Sequence, residues 1–116
     1  MSFNPGDVIV VNFPFSEGED HRGEVRTKGR PALIMTVPDA LSDVVVVSLS
    51  TKSHHANSVA LRQSDMARGR TAVESYARAD KLHVVNVRAI EQRVGAVKSE
   101  FLDRVRKVMC PALGCK

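Results

Sequence analysis

A chain of 116 residues, 43% hydrophobic and 26% charged, is sized for one packed core: too short for two ordinary domains and too apolar to stay disordered. Lys and Arg number 17 against 13 Asp and Glu, a net charge of +4 that is compatible with a polyanionic partner without requiring one. Only 4% of the residues are aromatic, with one Tyr and no Trp, which argues against a surface that binds RNA by stacking bases on several rings.

Apolar runs are short, as at Val44-Val45-Val46-Val47, far below the ~18 residues a membrane-spanning helix needs. Residues 1–7 have neither a basic start nor an apolar stretch, so no secretory signal is visible and a cytoplasmic location is the expectation. Cys110 and Cys115 lie so close together that a bridge would close only a short terminal loop; they read as free thiols, and two cysteines alone make a poor zinc site.

Eighteen valines give the chain a strong β bias, because branched side chains fit a pleated, half-buried surface. The first strand is expected over residues 7–13, opening after the turn dipeptide Pro5-Gly6 and closing at Pro14. Residues 16–29, rich in glycine and charge, read as a long exposed loop. Strands follow over 31–37 and 44–50, the second with valines that imply burial on both faces. A short strand is expected over 59–62, a turn over 63–70 and extended chain over 71–82. A helical turn is expected near 89–93, with Asn86 as N-cap. The clearest helix starts at Ser99 and puts Phe101, Leu102, Val105, Val108 and Met109 on one stripe, with Pro111 and Gly114 ending it. The sum is a mainly β fold: a small, strongly curved sheet or barrel with one C-terminal helix packed on it.

Four groups could carry chemistry. In Lys28-Gly29-Arg30-Pro31, an arginine at a strand start offers a rigid fork of donors suited to an anionic transition state; the plain alternative is a solvated loop-edge side chain. Ser50 and Thr51, beside Lys52, end a buried strand where hydroxyls either face a phosphate or satisfy turn backbone. Arg78 and Asp80 have the i, i+2 spacing that puts both on one strand face, as an acid–base pair or an ordinary ion pair. His54 and His55, with His21 and His83 elsewhere, are the residue type of a histidine nuclease or a metal site, but neighbours on an extended segment point to opposite faces.

The order of these signals is more specific than any one of them. Gly6-Asp7-Val8-Ile9, a charged loop, Gly29-Arg30-Pro31-Ala32-Leu33-Ile34, a valine-rich strand ending in Ser50-Thr51, then Arg78-Ala79-Asp80 and a terminal helix together resemble the MazF/PemK (Kid) family of toxin endoribonucleases. The resemblance spans about residues 5–109 of a chain expected to be one domain, residues 1–116. It implies an SH3-like barrel, a homodimer, a small acidic antitoxin and cleavage of single-stranded RNA at short motifs with no metal or other cofactor. It also implies that Arg30, Ser50, Arg78 and Asp80 are catalytic, with Thr51 beside them at the substrate; Lys28, Lys52, His54 and His55, next to these positions in the chain, are expected to add RNA contacts whose strength falls with salt. Serine stands at position 50 where many relatives have threonine. The charged loop is longer than usual, and Glu17, Glu19, His21 and Gly23 only approximate the family's Gly-x-Glu-Gln-x-Gly stretch. A catalytically silent barrel that binds a protein or nucleic acid, and a gyrase-directed toxin on the same barrel, are the competing readings.

Overall fold

The computed structural model describes residues 2–19, 25–51, 56–70 and 75–114, without the side chains of 13–19 and 25–28. Its strands are β1 (Asp7–Glu19), β2 (Val25–Ile34), β3 (Asp43–Ser50), β4 (Ser58–Leu61), β5 (Met66–Gly69), β6 (Ser75–Asn86) and β7 (Ile90–Val97), followed by helix α1 (Ser99–Ala112). All strands join one sheet in the order β4-β6-β3-β2-β1-β7-β5, and every pairing is antiparallel. The two edge strands, β4 and β5, are consecutive in sequence and joined by a 3₁₀ turn at Gln63–Asp65, so the chain itself ties the curled sheet's edges together. The expected mainly β fold with a packed C-terminal helix is present. No helix among the described residues is long and apolar enough to cross a membrane.

Each face of the sheet carries a core. The main core gathers Val8, Leu33, Val47, Leu49, Leu61, Ala77 and Ala79 under Phe101, Leu102 and Val105 of α1. A second cluster on the opposite face contains Ile9, Val11, Ala32, Ile34, Val44, Val46 and Val85, with Phe3, Val87 and Ile90 packed against it. Because alternate residues point to opposite faces, the stretches of β1, β2 and β3 between the two cores are apolar at consecutive positions, as at residues 8–11, 32–34 and 44–47.

The turn before β1 is built by its sequence. Gly6 takes φ +96°, a conformation side chains disfavour. Its N–H donates to Ile34 O at 2.8 Å and its carbonyl accepts from Val97 N at 2.8 Å, locking β1 between β2 and β7. The buried Asp7 carboxylate accepts from Asn4 N at 2.9 Å and from Arg93 at 3.2 Å.

Four expectations need correction. Much of the charged stretch at 16–29 is strand: β1 runs to Glu19 and β2 starts at Val25, with Pro14 opposite Thr27 and Glu19 opposite Val25. Polarity marked those residues as solvent-facing, but the ladder uses backbone groups, which polar residues supply equally well. The helical turn expected near 89–93 is strand from Ile90 onward, the start of β7. Asn86 does cap a turn, accepting from Arg88 N at 3.1 Å, but that 3₁₀ turn is only Val87–Ala89 and the chain then extends. The expected turn over 63–70 contains strand β5. Finally, Cys110 is disulfide-bonded, not a free thiol; the chain's other cysteine, Cys115, lies outside the described residues. Gly114 follows the helix end with φ +80°, a conformation that favours glycine.

Candidate active site

Strand β6 changes phase in its middle. Ala77 and Ala79 sit in the main core, as does the flank of Leu82, while Val85 belongs to the second core. The change is a bulge: between the pairs Val47–Leu82 and Leu49–Ala77, β3 contributes Ser48 alone where β6 contributes residues 78–81. Extra residues on one strand bend it and re-aim its side chains. Arg78 and Asp80 lie in this bulge, on the side opposite Ala77 and Ala79, with both side chains partly buried.

Neighbouring strands bring further candidates to the same side. Ser50 stands opposite Tyr76, two positions before Arg78 on β6. On β2, Arg30 is opposite Val11 and follows the alternation of Ala32 and Ile34, which places it on the face of the second core. The β2–β3 ladder pairs Ala32 with Ser48, so two residues further along each strand lie Arg30 and Ser50. Arg30, Ser50, Arg78 and Asp80 therefore share one face of three adjacent strands. Thr51 is exposed just past β3. Lys28 pairs with Phe13 through the backbone, while Lys52, His54, His55 and His21 lie outside the described residues. His83 is exposed on β6 opposite Val46, beyond the bulge from Asp80.

Gly29, immediately before Arg30, has a steric role. A Cβ there would lie 2.9 Å from Val10 Cγ1 and 3.1 Å from Glu91 Oε2, so only glycine lets those side chains cross β2 at that level.

The electrostatics of the bulge are unusual. Arg78 Nε and Asp80 Oδ1 are both buried from solvent and make no hydrogen bond among the described residues, and the two side chains form no ion pair with each other. Leaving buried polar atoms unmatched costs about 1–3 kcal/mol each, more for charged groups. One is a donor and the other an acceptor, so together they suit a ligand that presents an acceptor and a donor close together. Among the described residues, no three His, Cys, Asp or Glu side chains gather as a metal centre needs.

A third buried atom without a partner among the described residues is Oγ of Ser58, the residue directly across from Arg78 in the β4–β6 ladder. No sequence motif marks this serine; only the register reveals its place.

Over residues 4–113 the sequence matches the family described as PemK-like, MazF-like toxins of type II toxin–antitoxin systems. The chain belongs to that family. No curated protein matches it in sequence. Solved structures of MazF-type proteins share its fold at low identity. A mycobacterial endoribonuclease in complex with its cognate antitoxin is 19% identical, with a TM-score of 0.74 over 99% of this chain and 98% of that one. MazE–MazF from Deinococcus radiodurans is 16% identical, with a TM-score of 0.76 over 100% of both chains. The Mycobacterium tuberculosis toxin MazF-mt6 is 15% identical, with a TM-score of 0.65 over 93% of this chain and 98% of that one. At such identities the PemK/MazF fold is what is shared, and the chemistry rests on the residues of this chain.

Proposed function

We propose that this PemK/MazF-like protein is a toxin endoribonuclease that cuts single-stranded RNA at short sequence motifs. In this reading it needs no metal ion, forms a homodimer and is neutralised in the cytoplasm by a small acidic antitoxin. The observation that carries the reading is the unmatched pair in the β6 bulge: Asp80 Oδ1 and Arg78 Nε, two residues apart on one strand face and without partners among the described residues. A ribose 2′-hydroxyl beside a phosphodiester presents the donor and the acceptor that these two atoms lack.

In the reaction we infer, Asp80 takes the proton of the 2′-hydroxyl as its oxygen attacks the adjacent phosphorus. The bond from phosphorus to the 5′-oxygen breaks, leaving a 2′,3′-cyclic phosphate and a 5′-oxygen that takes up a proton from water to become a hydroxyl, while Asp80 returns its proton to solvent. A guanidinium is a better source of fixed positive charge than of protons, so Arg78 offsets charge on the phosphorane and the departing oxygen. Arg30 and Ser50, on the same face, hold the phosphate in line. Lys28, Thr51, Lys52, His54 and His55 extend the contact to flanking nucleotides. The antitoxin and dimer parts of the reading draw on family membership and on structural neighbours solved with their antitoxins.

The test is incubation of the purified protein with a long single-stranded RNA in EDTA, beside Asp80→Asn, with fragment ends mapped. Discrete cuts ending in cyclic phosphate, absent from the variant, are expected. Intact RNA from folded, antitoxin-free protein would overturn the reading in favour of a binding module or a protein-directed toxin.

A further inference from the structure

Among the described residues, three buried side-chain atoms on β4 and β6 have no hydrogen-bond partner: Arg78 Nε, Asp80 Oδ1 and Ser58 Oγ. Their grouping is set by the backbone. Asn57 takes the left-handed φ of 60°, which Asn tolerates better than most residues. Its carbonyl accepts from Ala79 N at 3.0 Å, and the next residue, Ser58, falls opposite Arg78 as the first pair of the β4–β6 ladder. Directly opposed side chains in an antiparallel pair have Cβ atoms only about 4.5–5.5 Å apart and project to the same side. Ser58 and Arg78 thus project to the same side of the sheet, and Ser58 Oγ and Arg78 Nε do not bond to each other.

We infer that Ser58 is a substrate-contacting residue, its hydroxyl donating to the same phosphate oxygen that Arg78 Nε engages. This deepens the endoribonuclease reading and rests on it. A serine hydroxyl that merely supported the fold would have a bond to make inside the protein, because Ser side chains readily find nearby backbone acceptors. This one makes none among the described residues, although its oxygen is buried on an edge strand. Two donors from adjacent strands converging on one oxygen form an oxyanion-binding pair, and Asp80, two residues from Arg78, is left for the hydroxyl that attacks. The geometry gives each unmatched atom one complementary atom on an RNA dinucleotide: phosphate oxygen for Ser58 and Arg78, 2′-hydroxyl for Asp80.

The test compares Ser58→Ala, Ser58→Thr and Asp80→Asn with the unmodified protein, measuring cleavage kinetics on one RNA and thermal midpoints. Ser58→Ala is expected to lower kcat roughly 10²-fold, the cost of removing one oxyanion donor, with KM changed by less than about threefold. Its thermal midpoint should be unchanged or higher, since the lost hydroxyl had no partner in the fold. Ser58→Thr, which keeps the hydroxyl, should cleave within about threefold of the unmodified protein. Ser58→Ala cleaving at the full rate, or losing stability in step with activity, would overturn the inference. Cleavage at the full rate by Asp80→Asn would instead bring down the endoribonuclease mechanism on which it rests.

Discussion

Arg93 on β7 reaches across β1 to donate to the buried carboxylate of Asp7 at 3.2 Å, and the same guanidinium nitrogen donates to Ser2 O at 2.7 Å. Its plane also lies over the ring of Phe3, 5.6 Å from the centroid. The Asp7 side chain is 2% exposed and that of Arg93 31% exposed, so one end of the pair is dry and the other wet. The family-like Gly6-Asp7 opening is therefore a structural clamp for the N-terminus. Arg93→Ala should destabilise the protein by about 1–3 kcal/mol in urea unfolding, because a buried carboxylate loses its cationic partner. An unchanged midpoint would mean that the pair contributes nothing net.

The glycines should separate sharply by what a side chain would strike. A Cβ on Gly95 would lie 2.5 Å from Arg68 O and 3.3 Å from Gly69 Cα, both backbone atoms that cannot step aside. Gly29 would meet only side chains, the nearer being Val10 Cγ1 at 2.9 Å. Gly95→Ala should cost more than about 3 kcal/mol or give no soluble protein, and Gly29→Ala about 1–3 kcal/mol, the usual cost of overpacking. Urea midpoints in the reverse order would contradict this account of the β5–β7 contact.

Asp65 ties the 3₁₀ turn between the edge strands to helix α1. Its carboxylate accepts from Arg62 N at 2.9 Å and from the Arg104 guanidinium, and its carbonyl accepts from Lys98 N at 2.8 Å. Burial alone would push this carboxyl's pKa up, but the Arg62 amide and the Arg104 and Arg62 charges outweigh that and hold it below the ordinary 3.8. A carboxyl depressed on folding stabilises the fold above its unfolded-state pKa and loses that contribution as pH falls through the lower folded-state value. Asp65→Asn should therefore lower stability by on the order of 1 kcal/mol near neutral pH, a modest figure because Arg104 is half exposed. Thermal midpoints of the two proteins should converge as pH drops well below 3.8. A constant gap down to the lowest pH would show that the charge is not what Asp65 contributes.

What the sequence made legible follows from which physical signal was local. Strand β3 and the apolar stripe of α1 were readable because burial is written into their own residues: Val44, Val46 and Val47 on the strand, and Phe101, Leu102 and Val105 on the helix, are all buried. The spacing of Arg78 and Asp80 correctly implied a shared face, since Ala77 and Ala79 occupy the other. Strand β7 was not legible. In Ile90–Val97 only Ala96 and Val97 are buried, so the segment shows no alternation to detect. Its existence depends on pairing with β1 and β5, a tertiary fact. The β6 bulge was hidden for the same reason, and with it Ser58, whose relation to Arg78 exists only in the register of β4.

Arg30 allows charge to be separated from geometry. It is exposed on β2. Under the proposed mechanism, Arg30→Ala abolishes cleavage and reduces the salt dependence of single-stranded RNA binding by a slope of about 0.7, one phosphate contact. Arg30→Lys keeps the charge but replaces a planar fork with a single ammonium. It should retain the salt slope while losing cleavage by on the order of 10²-fold, if two fixed donors on the phosphate are what the reaction needs. Binding measured from 50 to 200 mM salt, beside cleavage rates on the same RNA, separates the two contributions. Full activity in Arg30→Lys would reduce Arg30 to a point charge that attracts RNA, leaving transition-state stabilisation to the β6 bulge.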